Sequence, residues 1–365
     1  MRVLVLCAEV GAGHVTVART LAERLRRRSE VTEVGLRTDL DVLGEHLGRF
    51  LTSSFELHLD RIGWTYELAY RVFYERELPR RLGQLALAAL GSRGLRRTVA
   101  AFGADVVAAE YPVLSAALGE LRARGRLSVP VCSSISDPAG LHYWAHPGID
   151  LHLLSWPEAV AEVDRIAGPG RAAAIRPLVD DRFLAPPSRA EARAALDLPA
   201  DRRVIAISGG GWGLGDLAGA ARTALDTAAD AIAVCLSGHS DAMRGDLERS
   251  YSGDARVRVL GFTDRMPEVL SAADVLVHTT GGTTALEARV AGCPLINFGT
   301  GVAHVRNHAR ALARLGLAEW APNRAALGPA IERALAGGRP EPLDTGALPD
   351  AAELIVALAG SGRRG

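Results

Sequence analysis

Four places in this chain put a chemically capable side chain, or a run of glycines, directly after an apolar stretch. His14 ends Gly11-Ala-Gly-His14, and Asp137 follows the run at 129–135. Ser208-Gly-Gly-Gly-Trp212-Gly-Leu-Gly215 follows 203–207, and Thr279-Thr-Gly-Gly-Thr-Thr-Ala-Leu-Glu287 follows 274–278. An imidazole or carboxylate so placed can take a proton from a hydroxyl. Glycines at a strand-to-helix turn (Gly210, Gly211 and Gly213 in one, Gly281 and Gly282 in the other) bring backbone N–H groups close to an anion that a side chain would hold off. The helix behind them adds its positive dipole end, and a phosphate is the usual occupant. Glu287, one turn into the second such helix, has two readings. Either it accepts from the hydroxyls of a nucleotide ribose, or it closes a capping box onto Thr284.

The elements that must hold these groups are legible as apolar runs. Residues 3–8, 104–109, 129–135, 203–207, 231–237, 256–260, 274–278 and 295–298 are short and apolar without strict alternation. Strands buried on both faces of a parallel sheet have that character. Helical periodicity fills the intervals, and Gly292 with Pro294 stops the helix at 285–291. Strand and helix alternating over 365 residues predict an α/β protein of two domains. Pro177, Pro186 and Pro187 mark the linker between them. The first glycine turn is no dinucleotide fingerprint, because Thr16 stands where the third glycine of G-x-G-x-x-G belongs. Asp39 and Asp41 follow the second strand and read as a turn. No carboxylate cluster has divalent-ion spacing, so neither metal nor cofactor is expected.

Composition narrows the partners. Formal charge is zero, with 42 cationic side chains that are all arginine, so no global field points to nucleic acid. Cys7, Cys132, Cys235 and Cys293 lie in or beside strand-like runs without ligand spacing and read as buried thiols suited to a reducing cytoplasm. No signal peptide or membrane-spanning run is visible. One segment breaks the neutral texture. From Arg61 to Arg97 there are eight arginines against three glutamates, beside Trp64, Tyr66, Tyr70, Phe73 and Tyr74. An amphipathic helix of this kind either closes a core or lies in an anionic membrane surface.

The stretch Arg258-Val-Leu-Gly-Phe262-Thr-Asp-Arg-Met266, then Ala272-Ala-Asp274 and the turn to Glu287, resembles the donor half of glycosyltransferase family 28. Ser136-Asp137, followed by His142, Trp144, His146-Pro and Asp150, is similar to the diacylglycerol-glycosylating branch of that family, which includes monogalactosyldiacylglycerol synthases. The resemblance implies a loop at Gly210–Gly213 facing the donor phosphates, with Trp212 in it. It implies Phe262 lining the base pocket through its backbone, Gly281–Thr284 at the phosphates and Glu287 on the ribose. His14 or Asp137 is implied as the base, with Asp137 the first choice and His14, with Gly13, near the acceptor. His142 and Trp144 are implied on the acceptor side. Trp64, Tyr66, Tyr70, Phe73, Arg71, Arg76, Arg80 and Arg81 are implied at the membrane. Two departures stand out. Tyr111-Pro112 replaces a His-Pro pair, and Ala303-His304 stand where a Gln-Glu pair would grip the sugar.

The expectation is therefore a GT-B protein, two Rossmann-like domains facing a cleft. Residues 1–178 take the acceptor, 186–345 the nucleotide sugar, and a helix at 350–365 crosses back. It would move a hexose from a UDP-sugar to a hydroxyl with inversion, most readily on a diacylglycerol-type lipid at the inner face of the cell membrane. Alternatives on the same fold are a soluble transferase acting on a small metabolite, a sugar-nucleotide epimerase, and a non-catalytic nucleotide- or lipid-binding protein.

Overall fold

The computed structural model describes residues 1–8, 11–38, 42 and 63–362, apart from the side chains of 11–12, 63–66 and 361–362. Asp39 and Asp41 lie outside the described residues. Two compact units result: Met1–Leu178 with Gly346–Gly365, and Val179–Thr345.

The N-terminal unit is built on a six-stranded sheet in the order β2-β1-β3-β4-β5-β6, every pairing parallel. These strands are Arg2–Cys7, Glu33–Thr38, Val106–Glu110, Val131–Ile135, Leu151–Leu154 and Ala172–Ala174. Side chains alternate between the faces along each strand. Val3, Val5 and Cys7 therefore meet Val17, Leu21 and Leu25 of α1 (Gly11–Arg26), while Leu4 and Leu6 meet residues of the opposite face. That face is covered by two further helices, which contribute Leu95, Val99, Leu114 and Leu118. The helix Ala351–Gly362 belongs to this unit, and its Ala351, Ala352, Ile355 and Ala359 lie in the α1-side core.

The second unit repeats the plan in the order β12-β11-β10-β7-β8-β9, again all parallel. Its strands are β7 Val204–Ser208, β8 Ile232–Leu236, β9 Val257–Leu260, β10 Val275–His278, β11 Leu295–Phe298 and β12 Glu319–Ala321. Ile205, Ile207, Val275, Val277 and Ile296 carry its core. Helical segments between the strands close both faces, as a parallel sheet requires.

All four cysteines are buried thiols. Burial pushes the Cys132, Cys235 and Cys293 thiols up to about 12. They pack as small hydrophobes.

Strand order decides where chemistry can collect. In the first sheet the order reverses at β1 and β3, and in the second at β7 and β10. At such a reversal the connections leave to opposite faces and open a crevice beyond the strands' carboxyl ends. His14 follows β1, and Glu110 is the last residue of β3. The residues after β7 and β10 are the two glycine turns.

Candidate active site

The glycine turns, 71 positions apart in sequence, lock into each other. The Thr279 hydroxyl donates to the carbonyls of Ser208 and Leu214, one at each end of the first turn. A Cβ on Gly210 would run into Thr280 Oγ1, and one on Gly215 would come within 2.7 Å of Thr279. Both glycines, like Gly213, hold positive φ, which a side chain would strain. The turn after β8 joins them: the amide of His239 donates to the Gly211 carbonyl over 2.8 Å. Three strand ends thus share one folded cradle. Inside it the amides of Gly210 and Gly213 hold the loop's own shape, donating to Ser208 Oγ and to the Gly210 carbonyl. A turn this tight needs those bonds to hold its own shape. Trp212 stands exposed on it.

The second turn is the better anion site. Helix Gly282–Val290 has Gly281 as its N-cap, with no side chain capping it. The first-turn amides of Gly282, Thr283 and Thr284 therefore have no acceptor within the helix, and the dipole's positive end lies with them. The same geometry removes the capping-box reading, since Thr284 is already inside the helix and cannot serve as its cap. Glu287 is partly buried. Burial first, and then the charge of Asp180, push its carboxyl up to about 8, against a hydrogen bond from Thr284. Such a carboxyl gains from hydroxyl donors brought by a ligand.

Two neighbours complete this unit's site. The Phe262 ring is 58% exposed and stacks on His239 with centroids 3.9 Å apart and planes 14° from parallel. Its ring, as well as its backbone, is therefore available to a planar ligand. At the sugar-grip position, helix Ala303–Arg314 starts at Ala303, and the His304 and His308 rings meet edge-on at 5.9 Å. His308 lies beside Gly281. Imidazoles thus occupy a place where the resemblance implied an amide and a carboxylate.

In the N-terminal unit His14 lies in the first turn of α1, one residue after Gly13. Its Nδ1 is 3.2 Å from Oε2 of Glu110, the last residue of β3, whose side chain is fully buried. Rings of Tyr111 and Trp144 flank the imidazole, with centroids at 5.3 and 5.8 Å. Asp137 follows β4, and its Oδ2 accepts the indole N–H of Trp144 over 2.8 Å. Burial would lower the His14 pKa, yet Glu110, by charge and hydrogen bond, and Asp137 together raise it. Sequence reasoning missed Glu110. The available signal was a charged residue closing an otherwise apolar buried strand at its carboxyl end.

The aromatic and basic segment folds as two helices, Gly63–Phe73 and Glu77–Phe102. Trp64 and Tyr66 lie in the first, and their side chains are outside the described residues. Tyr70 is a correction. It is buried, stacks on Tyr74 at 4.6 Å, and Tyr74 in turn meets Tyr143. Trp144 is a second correction, being buried against Asp137 with no surface to offer an acceptor or a membrane. Both rings have edges that bond or stack inward, which burial favours. His142 is partly buried; its carbonyl accepts from Gln84, and burial followed by Arg80 lowers its pKa. Arg80 donates to the Tyr74 carbonyl and Arg81 pairs with Glu77, while Arg71 and Arg76 are exposed. Phe73 is exposed, as are Leu68, Leu78, Leu82 and Leu90, at 53–69% for the leucines. The leucines were missed because leucine in a helix reads as core. Among the described residues no helix is long and apolar enough to cross a membrane.

Residues 204–355 match the glycosyltransferase family 28 C-terminal domain. Over 304 residues the chain is 24% identical to the processive diacylglycerol beta-glucosyltransferase of Bacillus mycoides (strain KBAB4), covering 81% of this chain and 76% of that one. Over 135 residues it is 32% identical to the UDP-N-acetylglucosamine–N-acetylmuramyl-(pentapeptide) pyrophosphoryl-undecaprenol N-acetylglucosamine transferase of Salinibacter ruber (strain DSM 13855 / M31), covering 35% and 36% of the two chains. In fold it is similar to the glycosyltransferase SnogD of Streptomyces nogalater, with a TM-score of 0.59, 19% identity and 99% of each chain covered. The architecture is that of the GT-B fold, two Rossmann-like domains.

Proposed function

We propose that this chain, a UDP-sugar-dependent hexosyltransferase of glycosyltransferase family 28, transfers its hexose to the hydroxyl of a diacylglycerol-type lipid, with inversion and without a metal ion. The observation that carries the reading is the uncapped start of helix Gly282–Val290 beside the interlocked glycine turns, with Glu287 one turn further in. The diphosphate sits on first-turn amides and the helix dipole, which also stabilise the charge it gains on leaving. Glu287 accepts from the ribose hydroxyls, and Phe262 flanks the base. On the other unit, the group formed by His14 and Asp137 receives the acceptor's proton as its oxygen attacks the anomeric carbon.

The lipid acceptor is supported by the exposed leucines in the same two helices as Arg71 and Arg76, and by the similarity to the Bacillus mycoides diacylglycerol glucosyltransferase. Leucines enter the interface while arginines meet anionic headgroups. The test is to offer UDP-glucose, UDP-galactose and UDP-N-acetylglucosamine with diacylglycerol vesicles and to read product mass and anomeric configuration. A β-linked glycolipid is the expected product. Conversion of the donor without any acceptor means an epimerase, and transfer to soluble hydroxyls alone removes the lipid.

Two further results are expected. Glu287→Ala should weaken UDP binding by roughly 1.5–3 kcal/mol above about pH 8, where the carboxyl is ionised and its hydrogen bonds are those of a charged group, with little loss of melting temperature. Calorimetry with UDP checks this, and unchanged affinity removes Glu287 from the ribose. The double variant Leu78→Ser, Leu82→Ser should sediment less with anionic vesicles and keep its fold, since exposed leucines contribute little to stability. Wild-type binding should weaken with salt, because headgroup attraction is screened beyond about 8 Å at physiological ionic strength. Undiminished sedimentation of the double variant would place the membrane face elsewhere.

A further inference from the structure

We propose that Glu110 is the positioning residue that makes His14 the base: its buried carboxylate accepts the Nδ1–H of His14 and leaves Nε2 to take the acceptor's proton. This rests on the transferase reading above and decides between the two proton acceptors it named.

Three observations converge. Glu110 ends β3 and His14 follows β1, the adjacent strand at the first sheet's reversal point, so topology brings them together across 96 positions. Glu110 is fully buried, a costly place for a carboxylate unless a partner offsets the lost hydration. Its Oε2 faces His14, and the Ser136 hydroxyl is the other hydrogen-bonding group beside the carboxyl. His14 itself is 21% exposed. It is walled by Tyr111 and Trp144, so its ring is held in place while one edge stays reachable. Asp137 is already engaged by the Trp144 indole and is the less free of the two candidates.

Among the described residues the groups facing His14 are Glu110 at the end of β3, Asp137 after β4, the Tyr111 ring at the start of the next helix, and the non-titrating indole of Trp144. Burial raises the Glu110 pKa against the pull of His14, and Glu110 with Asp137 raises that of His14 despite burial. In the transfer step the acceptor O–H gives its proton to Nε2 as its oxygen bonds to the anomeric carbon. The bond from that carbon to the diphosphate breaks, and its electron pair leaves with UDP. The imidazolium so formed is stabilised by Glu110 and returns its proton to water.

The test is Glu110→Gln, which keeps size and a hydrogen bond but removes the charge, with Glu110→Asp beside it. In Glu110→Gln, kcat should fall on the order of a hundredfold with the donor KM little changed. The acid limb of kcat/KM should move to lower pH, since burial then dominates His14. Glu110→Asp should recover part of the loss. Nitrogen chemical shifts of His14, followed through a pH titration, need no activity. They should show the proton on Nδ1 and a titration above the ordinary imidazole range, displaced downward in Glu110→Gln. A His14 titration unmoved by Glu110→Gln, or an unmoved acid limb in an active enzyme, overturns the assignment. A wild type that transfers no sugar while His14 titrates as expected overturns the transferase reading and leaves the pair standing.

Discussion

His14→Ala should lower turnover by roughly two to four orders of magnitude, the usual contribution of a positioned general base. UDP affinity should stay near wild type, because the turns proposed to hold the nucleotide belong to the other unit. The substitution also leaves the fully buried Glu110 carboxylate without its imidazole partner, so melting temperature should fall as well, and turnover is read on protein shown to be folded. Asp137→Asn is the comparison that gives this result its meaning. An asparagine oxygen can still accept the Trp144 indole N–H, so the loop after β4 keeps its shape while the negative charge near His14 goes. That variant should lose less, and its loss should appear at least partly in the KM for the acceptor. Single-turnover kinetics with a fixed donor separate the two. If Asp137→Asn costs more than His14→Ala, the proton goes to the carboxylate, and the imidazole serves only to hold the acceptor.

The part of this arrangement that was legible in the sequence is the part written in local chemistry. Parallel strands buried on both sides leave continuous apolar runs, so the strand ends that carry His14, Asp137 and the glycine turns could be placed within a residue or two. Lateral strand order is not written locally. Nothing near residue 110 says that β3 lies beside β1 rather than beside β2, and so the pairing of Glu110 with His14 appears only in the folded sheet. Helix starts were similarly hidden. Thr284 and Glu287 have the spacing of a capping box, but the chain enters the helix at Gly282, because the preceding glycine accepts an N-cap conformation without help. The aromatic segment shows the same limit in reverse. Tyr70 has the composition of a membrane anchor and is buried by stacking on Tyr74, whereas Leu78 and Leu82 have the composition of core and stand exposed. Period and composition describe a helix face. The neighbours decide whether that face is covered.

The glycine turn after β7 should be the least forgiving element of the donor site, and Gly213→Ala is the variant that tests it. Gly213 holds φ at 63°, where a side chain costs about 1–2 kcal/mol by itself. An added Cβ would also run into the Ser237 carbonyl oxygen and lie 2.8 Å from the Ser240 side chain, neither of which can yield without moving the turn after β8. Overpacking of this kind typically adds about 1–3 kcal/mol. The turns after β8 and β10 are bonded to this one through His239 and Thr279, so relief by displacement is transmitted to the start of helix Gly282–Val290. UDP affinity should therefore fall by on the order of a hundredfold or more, since each 1.4 kcal/mol is a factor of ten. Gly337→Ala is the control. That glycine closes the helix Arg324–Gly337, meets nothing within 4 Å, and should tolerate a methyl group with UDP binding intact. Calorimetry with UDP, paired with thermal unfolding of each variant, separates a damaged turn from a damaged fold. Near-normal UDP affinity in Gly213→Ala would mean that the nucleotide does not depend on this turn, and the phosphates would then rest on the helix after β10 alone.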